Sequence, residues 1–123
     1  MDALTPASKS SISAAQRKTV RSTLAALKPF KTIRETMPLQ YVQAFLLVAA
    51  DENQNVTTYA TRAGTSQSLM THHIQDLGDI NRHHEEGMGL VESYRDMMDR
   101  RNVLIRLSAE GKGVVSEMCE AFV

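Results

Sequence analysis

The chain has 123 residues, 42% hydrophobic and 23% charged, which suffices for one core and leaves no room for a second, catalytic domain. Fourteen Lys and Arg balance fourteen Asp and Glu, and a formal net charge of zero argues against a protein that coats nucleic acid indiscriminately. Cys119 is the sole cysteine and the longest apolar stretch, residues 44–50, is far too short for a bilayer. A disulfide framework, a four-thiolate zinc site, export and a membrane span are therefore not expected, and the cytoplasm is.

Aromatic residues make up only 5% of the chain, Trp is absent, and Ala, Leu, Val and seven Met supply the apolar side chains, which favours helices over a β-sandwich. Charge is segregated along the chain. Within residues 1–35 the basic Lys9, Arg17, Lys18, Arg21, Lys28, Lys31 and Arg34 face only Asp2 and Glu35. Over residues 76–99 the sign reverses, and Arg100, Arg101 and Arg106 follow.

Residues 1–10, rich in Ser, Ala and Thr, read as a disordered arm. From Ser11 a helical pattern of Ile12, Val20, Leu24 and Leu27 runs to Pro29, which should end or kink it, with a short second piece over residues 30–34. Thr36-Met37-Pro38 offers a cap and a first-turn proline for a helix to about Ala50, with Leu39, Val42, Phe45, Leu46 and Ala49 on its buried face. Polar residues 51–55 end it, and Val56 is expected to be one short strand. Thr57 then caps a two-turn helix through Ala63, with Tyr59, Ala60 and Ala63 facing inward, and Gly64 supplies a sharp turn.

Ser66 caps the next helix, where Met70, Ile74 and Leu77 repeat at helical spacing while Gln67, Ser68, Thr71, His72 and Gln75 stay outside. A helix, a glycine turn and a helix with a polar outer face is the order of a DNA-reading helix-turn-helix. Residues 78–87 read as a loop or a fraying extension of the helix, residues 89–94 and 103–107 as two strands, and the charged residues 95–102 between them as a projecting hairpin tip, or wing. Ser108 caps a last helix with a stripe of Val114, Val115, Met118 and Phe122, in which Gly111 and Gly113 each cost about 1 kcal/mol against Ala.

The run Asp96-Met97-Met98-Asp99-Arg100-Arg101-Asn102-Val103-Leu104-Ile105-Arg106-Leu107-Ser108-Ala109-Glu110-Gly111 resembles the signature of the MarR family of transcription regulators. Residues 57–77, with Ala60, Gly64, Ser68, Thr71, Ile74 and Leu77, resemble that family's helix-turn-helix. Two features differ: His72 stands where the family commonly places an Arg, and the polar segment between Leu77 and Gly89 is longer. The resemblance implies a mainly α fold with a small β-hairpin, a winged helix-turn-helix in the order α-α-α-α-β-β-α. Residues 36–107 would form the DNA-binding domain, residues 11–35 a dimerisation segment, and residues 108–123 a short C-terminal helix that shares in dimerisation.

It further implies a bacterial, nucleoid-associated homodimer that binds double-stranded DNA and regulates transcription, more in the manner of a repressor. By position, Ser66, Gln67, Ser68, Thr71, His72 and Gln75 would read the major groove. Arg100 and Arg101 would take phosphates or the minor groove, with Asp99 bracing Arg101 as an Asp does at that spacing in the family. Arg62 and Arg95 are further candidates for phosphate. A small-molecule effector is implied too, although no residue pattern marks its pocket.

His72-His73 and His83-His84, near Glu85, Glu86 and Cys119, fit no zinc spacing and read as surface histidines, and Cys119 reads as a partly buried structural thiol. No metal or cofactor is expected. There is no G-x-S-x-G, P-loop or GxGxxG, so an enzyme is not expected either. Two alternatives stay open. One is a winged-helix module that binds a protein partner and has lost DNA binding, and the other an accessory DNA-binding protein of a phage, plasmid or recombination system.

Overall fold

The structure is a computed structural model that describes residues 11–79 and 86–123. The arm expected over residues 1–10 lies outside them, as do residues 80–85 of the polar segment. Helix α1 (Ala14–Ala26) opens at Ser13 rather than Ser11, because Ser13 and Gln16 form a reciprocal capping box: each side chain accepts from the other's backbone N–H, at 3.0 and 2.9 Å. Pro29 lies in the first turn of a separate helix, α2 (Lys28–Ile33), where its missing amide hydrogen breaks no bond.

Helix α3 (Leu39–Ala50) corrects the expected start and the expected face. Pro38 itself occupies the capping position and Thr36 does not cap, because the Pro38 carbonyl already accepts from the Tyr41 and Val42 amides. Val42, Ala44, Phe45 and Val48 are buried, whereas Leu39 and Leu46 are exposed and Ala49 is half-buried. The helix is apolar almost all round, so its own periodicity cannot choose a side.

Val56 is not a strand residue but the first residue of α4 (Val56–Ala63). Asn55 is the cap in place of Thr57, its Oδ1 accepting from the Thr58 amide at 2.9 Å. The bridge to the sheet falls two residues earlier: the Ile105 amide donates to Gln54 O at 3.0 Å, and the Asn53 amide to Ile105 O at 2.7 Å. Tyr59, fully buried, ties this corner together by donating to Asp51 O at 2.7 Å and accepting from the Gln54 amide at 3.3 Å. Burial pushes its hydroxyl pKa up, so the donor stays protonated.

Gly64, at φ 69, takes the left-handed conformation that ends α4, and Ser66 opens α5 (Gln67–Leu77) by accepting from the Leu69 amide at 3.1 Å. Strands β1 (Val91–Arg95) and β2 (Val103–Leu107) pair antiparallel, with Val91 opposite Leu107 and Arg95 opposite Val103. β1 starts later than expected because residues 87–90 make backbone bonds to residues 76–79 at the end of α5 instead. Ser108 caps α6 (Ala109–Glu120), whose stripe is shorter than expected because Phe122 is exposed, and Cys119 is exposed as well. Cys119 is thus not the partly buried thiol expected.

One core joins these parts. Phe45 and Val48 of α3, Tyr59 and Ala60 of α4, and Met70, Ile74 and Leu77 of α5 meet Leu90, Val91, Ile105 and Leu107 of the sheet and Val114 of α6. Phe30 of α2 adds an edge-to-face contact with Phe45, ring centroids 5.5 Å apart. On the outer face of the sheet Arg106 pairs with Glu92 at 3.1 Å and covers the Tyr94 ring at 4.4 Å. The architecture is mainly helical with one two-stranded hairpin, and no described helix is long and apolar enough to cross a membrane.

Candidate nucleic-acid interface

Three elements meet at one open cleft of about 250 Å³, lined by Asn55 and Thr57 of the α4 entry, Gln67 and Thr71 of α5, and Arg101 and Asn102 of the hairpin tip. The first turns of α4 and α5 both line it, so the positive ends of two helix dipoles add to the Arg101 cation. Such a site favours an anion flanked by hydrogen-bonding groups.

Asn55 does double work here. Besides capping α4, its Nδ2 donates to Asn102 Oδ1 at 3.3 Å, which ties the helix-turn-helix to the base of the wing. Asn55 and Asn102 do not stand out in the sequence, where residues 51–55 merely end a helix, and Thr57 reads only as a cap. The usable signal was an Asn three residues before Thr58, a capping spacing that competed with Thr57.

The wing tip is a hydrogen-bonded turn. Asp96 N–H donates to Asn102 O and Asn102 N–H to Asp99 O, both at 2.9 Å, and Arg95 Nη1 donates to Arg100 O at 2.8 Å. Arg95 therefore braces the turn from within. Asp99 Oδ1 accepts from both the backbone N–H and the Nε of Arg101, at 3.2 and 3.3 Å, while the Arg101 side chain stays 93% exposed. Arg100 is exposed beside it.

The other expected contacts divide. Gln67 and Ser68 are exposed on the first turn of α5, and Thr71, half-buried, donates its hydroxyl to Gln67 O at 2.8 Å. Ser66 is occupied with capping. His72 is half-buried, and Gln75 opens instead onto a separate hollow with Asp79, Glu92 and Arg106. Arg62 is held by Asp51 at 2.8 Å, away from the cleft.

His73 is buried, not a surface histidine, because the 100° step from His72 turns it to the side of Met70, Ile74 and Leu77. Its ring meets the edge of Tyr41 at 5.2 Å, the Tyr41 hydroxyl donates to the Asp76 carboxylate, and His73 Nδ1 has no partner among the described residues. Burial lowers the His73 pKa from 6.5, with Asp76 pulling it up and His72 pushing it down. A base with a depressed folded pKa binds fewer protons folded than unfolded, so stability falls as pH drops below 6.5. We expect the melting temperature of the protein to fall between about pH 7 and about pH 5, with a shallower fall for His73→Phe. Parallel profiles would refute a buried neutral His73. His83 and His84 lie outside the described residues, and among those described no three potential metal ligands converge.

Comparison with solved structures finds the same overall fold in known proteins. The transcriptional regulator Tm0710 from Thermotoga maritima superposes with a TM-score of 0.67 at 14% identity, over 87% of this chain and 68% of its own. A MarR transcriptional regulator from Methanosarcina mazei Go1 gives a TM-score of 0.61 at 16% identity, over 89% of this chain and 71% of its own. The chain has the MarR-type winged-helix fold. The transcriptional repressor CouR, solved bound to a 23-mer DNA duplex, gives a TM-score of 0.58 at 20% identity, over 98% of this chain and 79% of its own. No protein-family model matches the sequence, and no curated protein does.

Within the MarR-type fold, the residues that lead into β1 bond back to the end of α5. The Leu90 amide donates to Leu77 O at 2.7 Å, that of Gly89 to Gly78 O at 2.9 Å, and that of Gly87 to Asp79 O at 2.7 Å. The chain leaves α5 and returns to the same place, so β1 starts beside the end of the helix.

Proposed function

We propose that this chain is a sequence-specific double-stranded DNA-binding transcription regulator that acts as a homodimer and represses by occupying promoter DNA. One observation carries the reading: Gln67 and Thr71 of α5 line the same cleft as Arg101 of the wing, so one duplex meets both. The helix reads base edges in the major groove, Gln67 matching adenine, while Arg101 and Arg100 hold phosphate or the adjoining minor groove. That a neighbour of the same fold was solved on a DNA duplex supports it. Selection of bound duplexes from a random pool should enrich a pseudo-palindrome, whose half-sites mirror the two-fold axis. Failure to enrich any sequence at low salt would overturn the proposal in favour of a protein-binding module.

Dimerisation is supported by an apolar stripe that the described residues leave uncovered: Val20 and Leu24 of α1 are 57% and 68% exposed, and Ile12, Leu27 and Leu39 are exposed with them. Residues 11–35 and the C-terminal helix supply the interface in this reading. Val20→Asp combined with Leu24→Asp should shift sedimentation from dimer to monomer, since burying each apolar side chain contributes about 1.5 to 3 kcal/mol. An unchanged dimer would place the interface elsewhere.

A further inference from the structure

Two large apolar side chains occupy the most exposed part of the wing: Met97 is 87% and Met98 93% exposed. Nothing about the turn requires Met there. Its shape comes from the backbone bonds across residues 96–102, from the Arg95 brace, and from Asp96, whose Oδ1 accepts from the Met98 amide at 2.9 Å. That Asx turn fixes the backbone of the tip and leaves the two thioether side chains outermost. Arg100 and Arg101 follow on the same tip, and Arg101 opens onto the cleft shared with Gln67 and Thr71.

An unbranched, polarisable side chain fits irregular apolar slots. Asp96 and Asp99 bracket the methionine pair, but Asp96 accepts from the Met98 amide and Asp99 from Arg101, and Arg95, Arg100 and Arg101 outnumber them, so the tip as a whole is cationic and is drawn toward phosphate. A slot about 6 Å wide between two phosphate rows is the minor groove of duplex DNA. We propose that Met97 and Met98 form an apolar wedge that enters the minor groove beside each half-site and partly unstacks a base step. The proposal rests on the DNA-binding reading and adds a second source of sequence choice. The wedge selects by ease of deformation, favouring pyrimidine–purine steps such as TA and CA, and not by hydrogen bonds. Three arginines against two aspartates over residues 95–102 leave the tip net positive, which favours DNA over an apolar protein surface.

The test begins with the duplex enriched by the wild-type chain, carrying 2-aminopurine at the steps flanking each half-site. Two double variants are compared: Met97→Gln/Met98→Gln, which keeps length and removes apolarity, and Met97→Leu/Met98→Leu, which keeps apolarity. The Gln pair should bind about tenfold more weakly, and the Leu pair within about twofold of wild type. The rise in 2-aminopurine fluorescence on binding should disappear with the Gln pair and persist with the Leu pair. The slope of log affinity against log salt should stay the same in both, because no charge is removed. Repeating the selection with the Gln pair should keep the central palindrome and lose the flanking preference. Wild-type affinity and flanks in the Gln pair would overturn the wedge alone, as would absence of a fluorescence rise in wild type. No enriched sequence from wild type would overturn the wedge together with the DNA-binding reading.

Discussion

Arg101→Ala is expected to weaken binding to every duplex by about tenfold to a hundredfold, and to lower the slope of log affinity against log salt by about one per subunit. The side chain is a solvated cation, with Asp99 accepting its Nε and backbone N–H, so its loss costs the fold little. What is lost is phosphate neutralisation, which is blind to sequence. Gln67→Ala should do the opposite: leave the salt slope unchanged and relax preference at one base pair per half-site, by about 1 to 3 kcal/mol. Fluorescence anisotropy titrations at several salt concentrations, on the selected duplex and on single-base variants, separate the two. Identical slopes for Arg101→Ala and wild type would remove Arg101 from the interface.

The second large effect concerns stability and sets two neighbouring glycines against each other. A Cβ on Gly111 would stand 2.1 Å from Leu90 O, 3.1 Å from Leu90 C and 3.4 Å from Phe45 Cε1. The obstructing backbone has no freedom to retreat. The Leu90 amide is bonded to Leu77 O, the Leu90 carbonyl accepts from the Ser108 amide at 3.0 Å, and the Ser108 hydroxyl donates to Gly89 O at 2.6 Å. Gly111→Ala should therefore cost about 3 kcal/mol or more through overpacking. Gly113 has nothing within 4 Å of its would-be Cβ, so Gly113→Ala should stabilise by about 1 kcal/mol through helix propensity alone. Urea unfolding of the two variants decides it. Changes of the same sign would mean that α6 does not lie against residues 89–90 as closely as described.

Those two glycines also mark where reading the chain residue by residue stops working. Helix propensity assigns Gly111 and Gly113 the same penalty, because it knows only the helix they share. The approach of Leu90 comes from a segment about twenty residues earlier and reverses the sign at Gly111. The same division runs through the rest of the molecule. The caps at Ser66 and Ser108, the glycine turn at Gly64 and the paired strands around the wing were legible from the residues. Each depends on contacts within a few positions, or on a two-residue alternation that any partner would satisfy.

The misread positions share the opposite property. Helix α3 carries apolar residues on every side, and the packing of α4, α5 and the sheet picks Val42, Ala44, Phe45 and Val48 over Leu39 and Leu46. His73 reads as a surface histidine in the sequence, but it turns to the side of Met70, Ile74 and Leu77 and packs against Tyr41 of a different helix. At the candidate site, Gln67 and Arg101 could be named separately from a helix pattern and a hairpin pattern. That they line one cleft depends on Asn55, which caps α4 and binds Asn102 of the wing across 47 positions of chain. Periodicity and capping are short-range and therefore written in the order of the residues. Which faces meet is set by the packing free energy of all the elements together, and no single segment carries it.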